Sequence, residues 1–247
     1  MGAKTTLQNP KGSISGAEAV VRSLVAEGAD LIYGYPGGAI MPVYDELYKF
    51  QDHIDHVLVR HEQGAAHAAQ GFARVSGQVG ICMATSGPGA TNLVTGIADA
   101  MIDSTPLVCI TGQVPSHLLG SDAFQETDII GISTPVTKWS YQITCVEEIP
   151  EIIAKAFYIA RSGRPGPVLV DITKDAQFGT SDFSYTPCTK IRSYKPVPET
   201  KENDLVQAAK LINAAKNPLI VWGQGVILGE AEEELSLIHI SEPTRPY

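Results

Sequence analysis

Between Ser15 and Thr173, short apolar runs alternate with segments whose apolar positions recur at helical spacing. The runs Leu31–Tyr33, His56–Val59, Val79–Ala84, Leu107–Thr111 and Val168–Ile172 are strand-length and mostly apolar throughout. A strand that stays apolar along its length is covered on both faces, and strands linked through helices run parallel. The helical patterns span Ile40–Lys49, Glu62–Val75, Ala90–Ile102 and Glu148–Arg161. A further one opens on the capping box Ser15-Gly-Ala-Glu18, carries Val20, Val21, Leu24 and Val25, and ends near Gly28. The expected fold class is therefore α/β, a doubly wound parallel sheet flanked by helices. Such sheets bind ligands at the carboxyl ends of their strands. The segments Tyr35-Pro-Gly-Gly38, His61-Glu62-Gln63, Ser86-Gly-Pro-Gly89 and Gly112-Gln113 fall there.

The alternation lapses from Ala176 to about Glu199, where Pro187, Pro196 and Pro198 mark a linker. A helix is expected to begin near Glu202, then a strand at Pro218-Leu-Ile-Val-Trp222 and a turn at Gly223-Gln-Gly225, the opening of a second α/β domain. Residues 1–12 read as a disordered N-terminus. The stretch from Leu235 to Tyr247 resembles the in-frame translation of a transposon-end adapter used in sequencing libraries, so 235–247 is expected to be non-native and is set aside from fold reasoning.

The chain carries 27 Asp+Glu against 18 Lys+Arg, a formal charge of −9, and no basic stripe, which argues against a nucleic-acid partner. Its 44% hydrophobic and 18% charged residues suffice for a packed core. No run approaches the roughly 20 apolar residues of a membrane span, and the N-terminus has no signal-peptide core. Gly2 with Thr6 fits a fatty-acylation pattern that no basic cluster supports. Cys82, Cys109, Cys145 and Cys188 have no metal or disulfide-framework spacing, so reduced thiols and a cytoplasmic or, in a eukaryote, organelle-matrix location are expected.

Glu62 follows a strand and opens an Ala- and Gly-rich helix. Alone, such a carboxylate is usually a favourable partner of the helix dipole. Here Ala65, Ala66, Ala68, Ala69 and Gly71 leave little bulk, so something can pack close beside it. Pro36-Gly37-Gly38 permits close backbone approach to a ligand or simply a tight turn. It is not GxGxxG, and Ser86-Gly-Pro-Gly-Ala-Thr-Asn92 lacks the Lys-Ser/Thr ending of a phosphate loop. Ser121–Glu126 alone reads as a surface loop, and Arg164-Pro-Gly-Pro167 as a turn feeding a strand. His61 and His67 are six apart, about 240° round a helix, and cannot share a metal from one face. No metal-ligand cluster or Ser/His/Asp arrangement is legible.

Taken in order, Tyr-Gly-Tyr-Pro-Gly-Gly-Ala (33–39), Arg-His-Glu-Gln-Gly-Ala (60–65), Thr-Ser-Gly-Pro-Gly-Ala-Thr-Asn (85–92), Gly-Ser-Asp-Ala-Phe-Gln-Glu-Thr-Asp (120–128) and Gly-Arg-Pro-Gly-Pro-Val (163–168) are specific together. From about Ser13 to Glu234 the chain resembles the catalytic subunits of the acetolactate synthase (acetohydroxyacid synthase) family, which use thiamine diphosphate. The glutamate motif points to the wider superfamily, and segment 120–128 points to acetolactate synthase within it. The resemblance implies a pyrimidine-binding domain over 13–175, a linker over 176–200 and the start of an FAD-binding-type central domain over 201–234.

In that family the glutamate, here Glu62, hydrogen-bonds N1′ of the cofactor's aminopyrimidine and promotes its activation. This requires a dry pocket and a fixed distance to N1′. Tyr35, Pro36, Gly37, Pro88, Asn92 and Gln125 are implied to approach thiamine diphosphate. Phe124, Gln125 and Lys174 are implied to border the substrate channel, and Arg164 to contact a largely structural FAD. The family binds the diphosphate through Mg²⁺ in a C-terminal domain, with FAD held mostly by the middle domain; the resemblance implies that the 247 residues contain none of the former and only the start of the latter. The active site forms between subunits, so a homodimer or homotetramer is implied, with a small regulatory subunit as a further partner. The reaction joins pyruvate to a second 2-oxo acid, pyruvate or 2-oxobutanoate, with loss of CO₂, in branched-chain amino-acid synthesis. The 247 residues alone are expected to be inactive. The competing expectations are another thiamine diphosphate enzyme, of the pyruvate oxidase or oxo-acid decarboxylase type, and a non-catalytic α/β binding domain.

Overall fold

The computed structural model describes residue 10 and residues 12–240. The expectations for most of 1–12, including the Gly2/Thr6 pattern, and for 241–247 lie outside the described residues. The chain divides into two compact units, Met1–Pro196 and Val197–Tyr247.

In the first unit the elements follow in order as β1 (Ser13–Ser15), α1 (Gly16–Ala26), β2 (Leu31–Gly34), α2 (Met41–Lys49), β3 (Asp55–Leu58), α3 (Glu62–Ser76), β4 (Gly80–Ala84), α4 (Pro88–Asn92) and α5 (Val94–Ile102). They continue as β5 (Leu107–Gln113), α6 (Ile129–Ser133), β6 (Trp139–Ile143), α7 (Ile149–Arg161), β7 (Pro167–Thr173), α8 (Lys174–Phe178) and β8 (Thr180–Asp182). Six strands form one sheet in the order β3-β2-β4-β5-β7-β6, every neighbouring pair parallel. This is the expected doubly wound sheet. Its central strands β4, β5 and β7 are buried at every residue. Alternate side chains divide the core between two faces. Ile81, Met83, Val108, Ile110, Val168 and Val170 meet α1, α2 and α7, while Cys82, Ala84, Leu107, Cys109 and Leu169 meet α3, α5 and α6.

The local causes are legible. Ser15 accepts from the Glu18 N–H at 3.1 Å and caps α1, as the capping box predicts. Helix α3 starts at His61, whose Nδ1 accepts from the Gln63 N–H at 3.2 Å, and stops at Gly77 with φ +71°. The bare flank of α3 is used by protein. A Cβ on Gly96 would stand 2.4 Å from Ala66 Cβ, and one on Gly80 would stand 2.2 Å from the Ala69 carbonyl oxygen. The alanines thus let α5 and β4 pack against α3.

Four elements differ from expectation. The helix expected at Ala90–Ile102 begins earlier, with Pro88 in its first turn, and divides at Leu93, whose N–H bonds Ala90 O at 3.1 Å in a tighter turn. Strand β6 was not foreseen: it is the half-exposed edge strand Trp-Ser-Tyr-Gln-Ile, with none of the continuous apolarity that marks the central strands. Within 176–200, β8 pairs antiparallel with β1, and Phe183, Ile191 and Tyr194 pack on the larger core. The strand expected at Pro218–Trp222 is absent.

That last segment belongs to the second unit, whose described elements are α9 (Glu202–Ala214), α10 (Gln224–Leu228) and α11 (Glu232–Ile240). No other strand is described there for 218–222 to pair with, and a lone strand cannot satisfy its backbone. Leu219 and Val221 are each 88% exposed. No helix among the described residues is long and apolar enough to cross a membrane.

Candidate functional site

Strand β2 lies between β3 and β4, and the chain passes over it from β3 to β4. Helix α2 then covers one face of the sheet and α3 the other, which opens a crevice at the carboxyl ends of β2 and β4. Three loops meet around it: Tyr35–Gly38 after β2, Arg60–Glu62 after β3, and Thr85–Gly89 after β4.

Glu62, the first residue of α3, is only 8% exposed although it is a carboxylate. Asn92 Nδ2 donates to its Oε2 at 2.9 Å. The other oxygen, Oε1, faces Gly89, where an added Cβ would stand 3.3 Å away and 2.7 Å from Thr85 Cγ2. Glycine at 89 keeps the approach to that oxygen open. A Cβ on Gly37 would stand 2.6 Å from Thr85 Cβ, so the first and third loops touch.

Thr85 and Gln177 fix the first loop. Thr85 Oγ1 accepts from the Ala39 N–H at 3.1 Å, and Gln177 Nε2 donates to the Ala39 carbonyl at 2.8 Å. Gln177 is fully buried and also donates to Ile172 O at 2.9 Å. Tyr44 stands beneath the crevice, its hydroxyl without a partner among the described residues. Burial pushes its phenol above the ordinary range, and the Cys82 thiol and Glu62 carboxylate nearby push the same way.

Tyr35 and Pro36 are exposed at the crevice and Gly37 is half-buried. Pro88 is exposed at the start of α4 and Asn92 half-buried at its end. Phe124 and Gln125 lie on the loop Gly120–Glu126, and Phe124 is 87% exposed. That loop reaches the third one: a Cβ on Gly87, itself at φ +58°, would stand 2.6 Å from the Gln125 carbonyl oxygen. Glu126 ties the loop to itself, accepting from the Gly120 and Ala123 N–H groups, the latter at 3.0 Å. Lys174 follows β7 at the same carboxyl edge.

Arg164 is not part of this group. It precedes β7, at the opposite edge of the sheet, where Nε donates to Ser104 Oγ at 2.7 Å and Nη2 to the Met101 and Ile102 carbonyls at 3.3 and 3.0 Å. Among the described residues no group of three or more His, Cys, Asp or Glu is placed to hold a metal. Sequence reasoning missed Thr85 and Gln177, whose contacts bridge distant positions. It also passed over Asp171, whose signal was an acid inside an otherwise apolar strand.

Residues 14–132 match the thiamine pyrophosphate enzyme N-terminal TPP-binding domain. The chain carries a thiamine pyrophosphate enzyme domain. The acetolactate synthase large subunit of Corynebacterium glutamicum is 56% identical over 222 residues, covering 90% of this chain and 35% of that protein. The acetolactate synthase of Mycobacterium leprae is 53% identical over 222 residues, with 90% and 35% covered. That of Arthrospira platensis is 49% identical over 229 residues, with 90% and 39% covered. The chain is thus homologous to acetolactate synthases over most of its own residues, and it spans little more than a third of their length.

A bound thiamine ring fits what the domain offers. Glu62 is buried, one of its oxygens is held by Asn92, and the other is left clear by a glycine.

Proposed function

We propose that the chain is the pyrimidine-binding part of an acetolactate synthase, joining pyruvate to pyruvate or 2-oxobutanoate with release of CO₂. The observation that carries this reading is the half-satisfied carboxylate of Glu62 at the crevice of a thiamine pyrophosphate domain. Thiamine diphosphate, when bound, supplies the carbon nucleophile and takes up the electron pair freed on decarboxylation. Glu62 Oε1 would exchange a proton with N1′ of the pyrimidine, while Asn92 keeps the carboxylate from rotating away. Tyr35, Pro36, Gly37 and Pro88 would border the ring, and burial of Glu62 excludes competing water. Phe124, Gln125 and Lys174 would line the approach of the 2-oxo acid. Mg²⁺ and FAD would be held largely by parts of the full-length protein beyond this domain, with Arg164 at the FAD side. A homodimer or homotetramer completes the site in this reading, a small regulatory subunit is a further partner, and four free thiols suit a reducing cytoplasm or organelle matrix.

The test uses the full-length protein with thiamine diphosphate, Mg²⁺ and FAD. Pyruvate should yield acetolactate, and Glu62→Gln should lower kcat by about a hundredfold or more with the fold intact by circular dichroism. Acetaldehyde or hydrogen peroxide as the main product would replace this reading with a decarboxylase or an oxidase. No turnover of any 2-oxo acid would favour a binding domain.

A further inference from the structure

One buried acid has no part in the site described above. Asp171, in the middle of β7, is fully buried. Its Oδ1 accepts from Thr111 Oγ1 at 2.6 Å, and its Oδ2 accepts from Gln113 Nε2 at 3.1 Å and Gln142 Nε2 at 2.9 Å. Thr111 and Gln113 lie on β5 and Gln142 on β6, the strands on either side of β7. A carboxylate at the dry centre of a sheet is costly unless donors surround it. Burial pushes the Asp171 carboxyl upward, and the three donors oppose the push.

Gln113 carries this cluster outward. The same Nε2 that bonds Asp171 donates to the Thr127 carbonyl at 3.0 Å, and Oε1 accepts from the Val114 N–H at 2.9 Å. Both amide hydrogens and the amide oxygen are thus engaged, in a side chain 1% exposed. Thr127 directly follows the loop that bears Phe124 and Gln125. That loop needs a tether, because Asp122 and Gln125 hold left-handed backbone at φ +54° and +60° without being glycine. Gly87, on the loop beside Glu62, packs against the Gln125 carbonyl, and the Ile129 N–H also donates to the Thr127 carbonyl at 2.8 Å.

We propose that Gln113, aimed by Asp171, is a positioning residue that sets the height of the Phe124–Gln125 loop over the crevice and thereby the choice of second 2-oxo acid. The substrate-choice part rests on the acetolactate synthase reading; the tether does not. An apolar residue at 113 would fill the same space but leave the Thr127 carbonyl and Asp171 without their shared donor.

The test is Gln113→Met in the full-length protein, which keeps length and bulk and removes the amide. Hydrogen exchange of the 120–128 amides should quicken by about tenfold, the effect of losing one buried hydrogen bond, while 62–76 stays as in the parent. The ratio of 2-oxobutanoate to pyruvate used as acceptor should change by about fivefold with thiamine diphosphate Kd unchanged. Asp171→Asn retains an oxygen for both glutamine amides, and the Thr111 hydroxyl can turn to accept, so it should leave 120–128 protected. Unchanged exchange at 120–128 in Gln113→Met overturns the tether. Faster exchange everywhere, with cofactor affinity lost alongside, assigns Gln113 to general stability and also overturns it. If the parent protein forms no acetolactate, the functional reading fails and takes the substrate-choice part with it, while the exchange data still decide the tether.

Discussion

Glu62 is held by one neighbour and kept accessible by another, and both can be changed singly. Asn92 takes one carboxylate oxygen, and Gly89 leaves the other uncovered. Gly89→Ala places a methyl 2.7 Å from Thr85 Cγ2 and 3.3 Å from Glu62 Oε1, so thiamine diphosphate Kd, read by fluorescence quenching in the full-length protein, should rise by about tenfold or more. Glu126 gives a pH-dependent counterpart. The Gly120 N–H first, and then that of Ala123, hold its carboxyl below the ordinary range. Its folded value lies below its unfolded one, so its closure of the loop is present above the ordinary carboxylate value of about 4.3 and fades as pH falls through the lower folded value. Protection factors at 120–126 should drop on acidification below pH of about 4, and Glu126→Gln should abolish that dependence. An unaltered pH response in the variant would place the titrating group elsewhere.

Whole elements were legible where their cause is local. The Ser15 cap, the Gly77 stop and the apolar continuity of β4, β5 and β7 each lie within a few residues of sequence, and those elements fall where expected. Ser15→Ala should cost about 1 kcal/mol in urea denaturation, with Glu18 keeping its pairing to Arg22 at 2.7 Å. Elements whose cause is remote were not legible. Strand β6 exists because β7 offers it an edge, and residues 218–222 stay out of a sheet because no described strand of their unit offers one. The candidate site divides in the same way. Glu62 and the glycine loops announce themselves at strand ends. The grip of Gln177 on Ala39, 138 residues away, and the fork of Gln113 to Thr127 exist only once the sheet has assembled.

The whole molecule pairs a well-packed unit with a poorly packed one. Among the described residues none from 197 onward is buried, and Leu205, Leu211, Leu219, Val221 and Trp222 are all exposed. Little apolar burial opposes local opening there, so limited proteolysis should trim the chain back towards Pro196 and leave a resistant core. Preferential cutting inside 62–113 would contradict this. Within the resistant unit, the clasp on Ala39 has a consequence for how the chain tolerates change. Thr85 and Gln177 hold that residue by its peptide groups, which every amino acid except proline shares. Tyr35, Pro36 and Gly38 can therefore be exchanged one by one without touching the loop's anchor, whereas a side chain at Gly37 pushes on Thr85, and a replacement at Thr85 or Gln177 takes away one of the two holds.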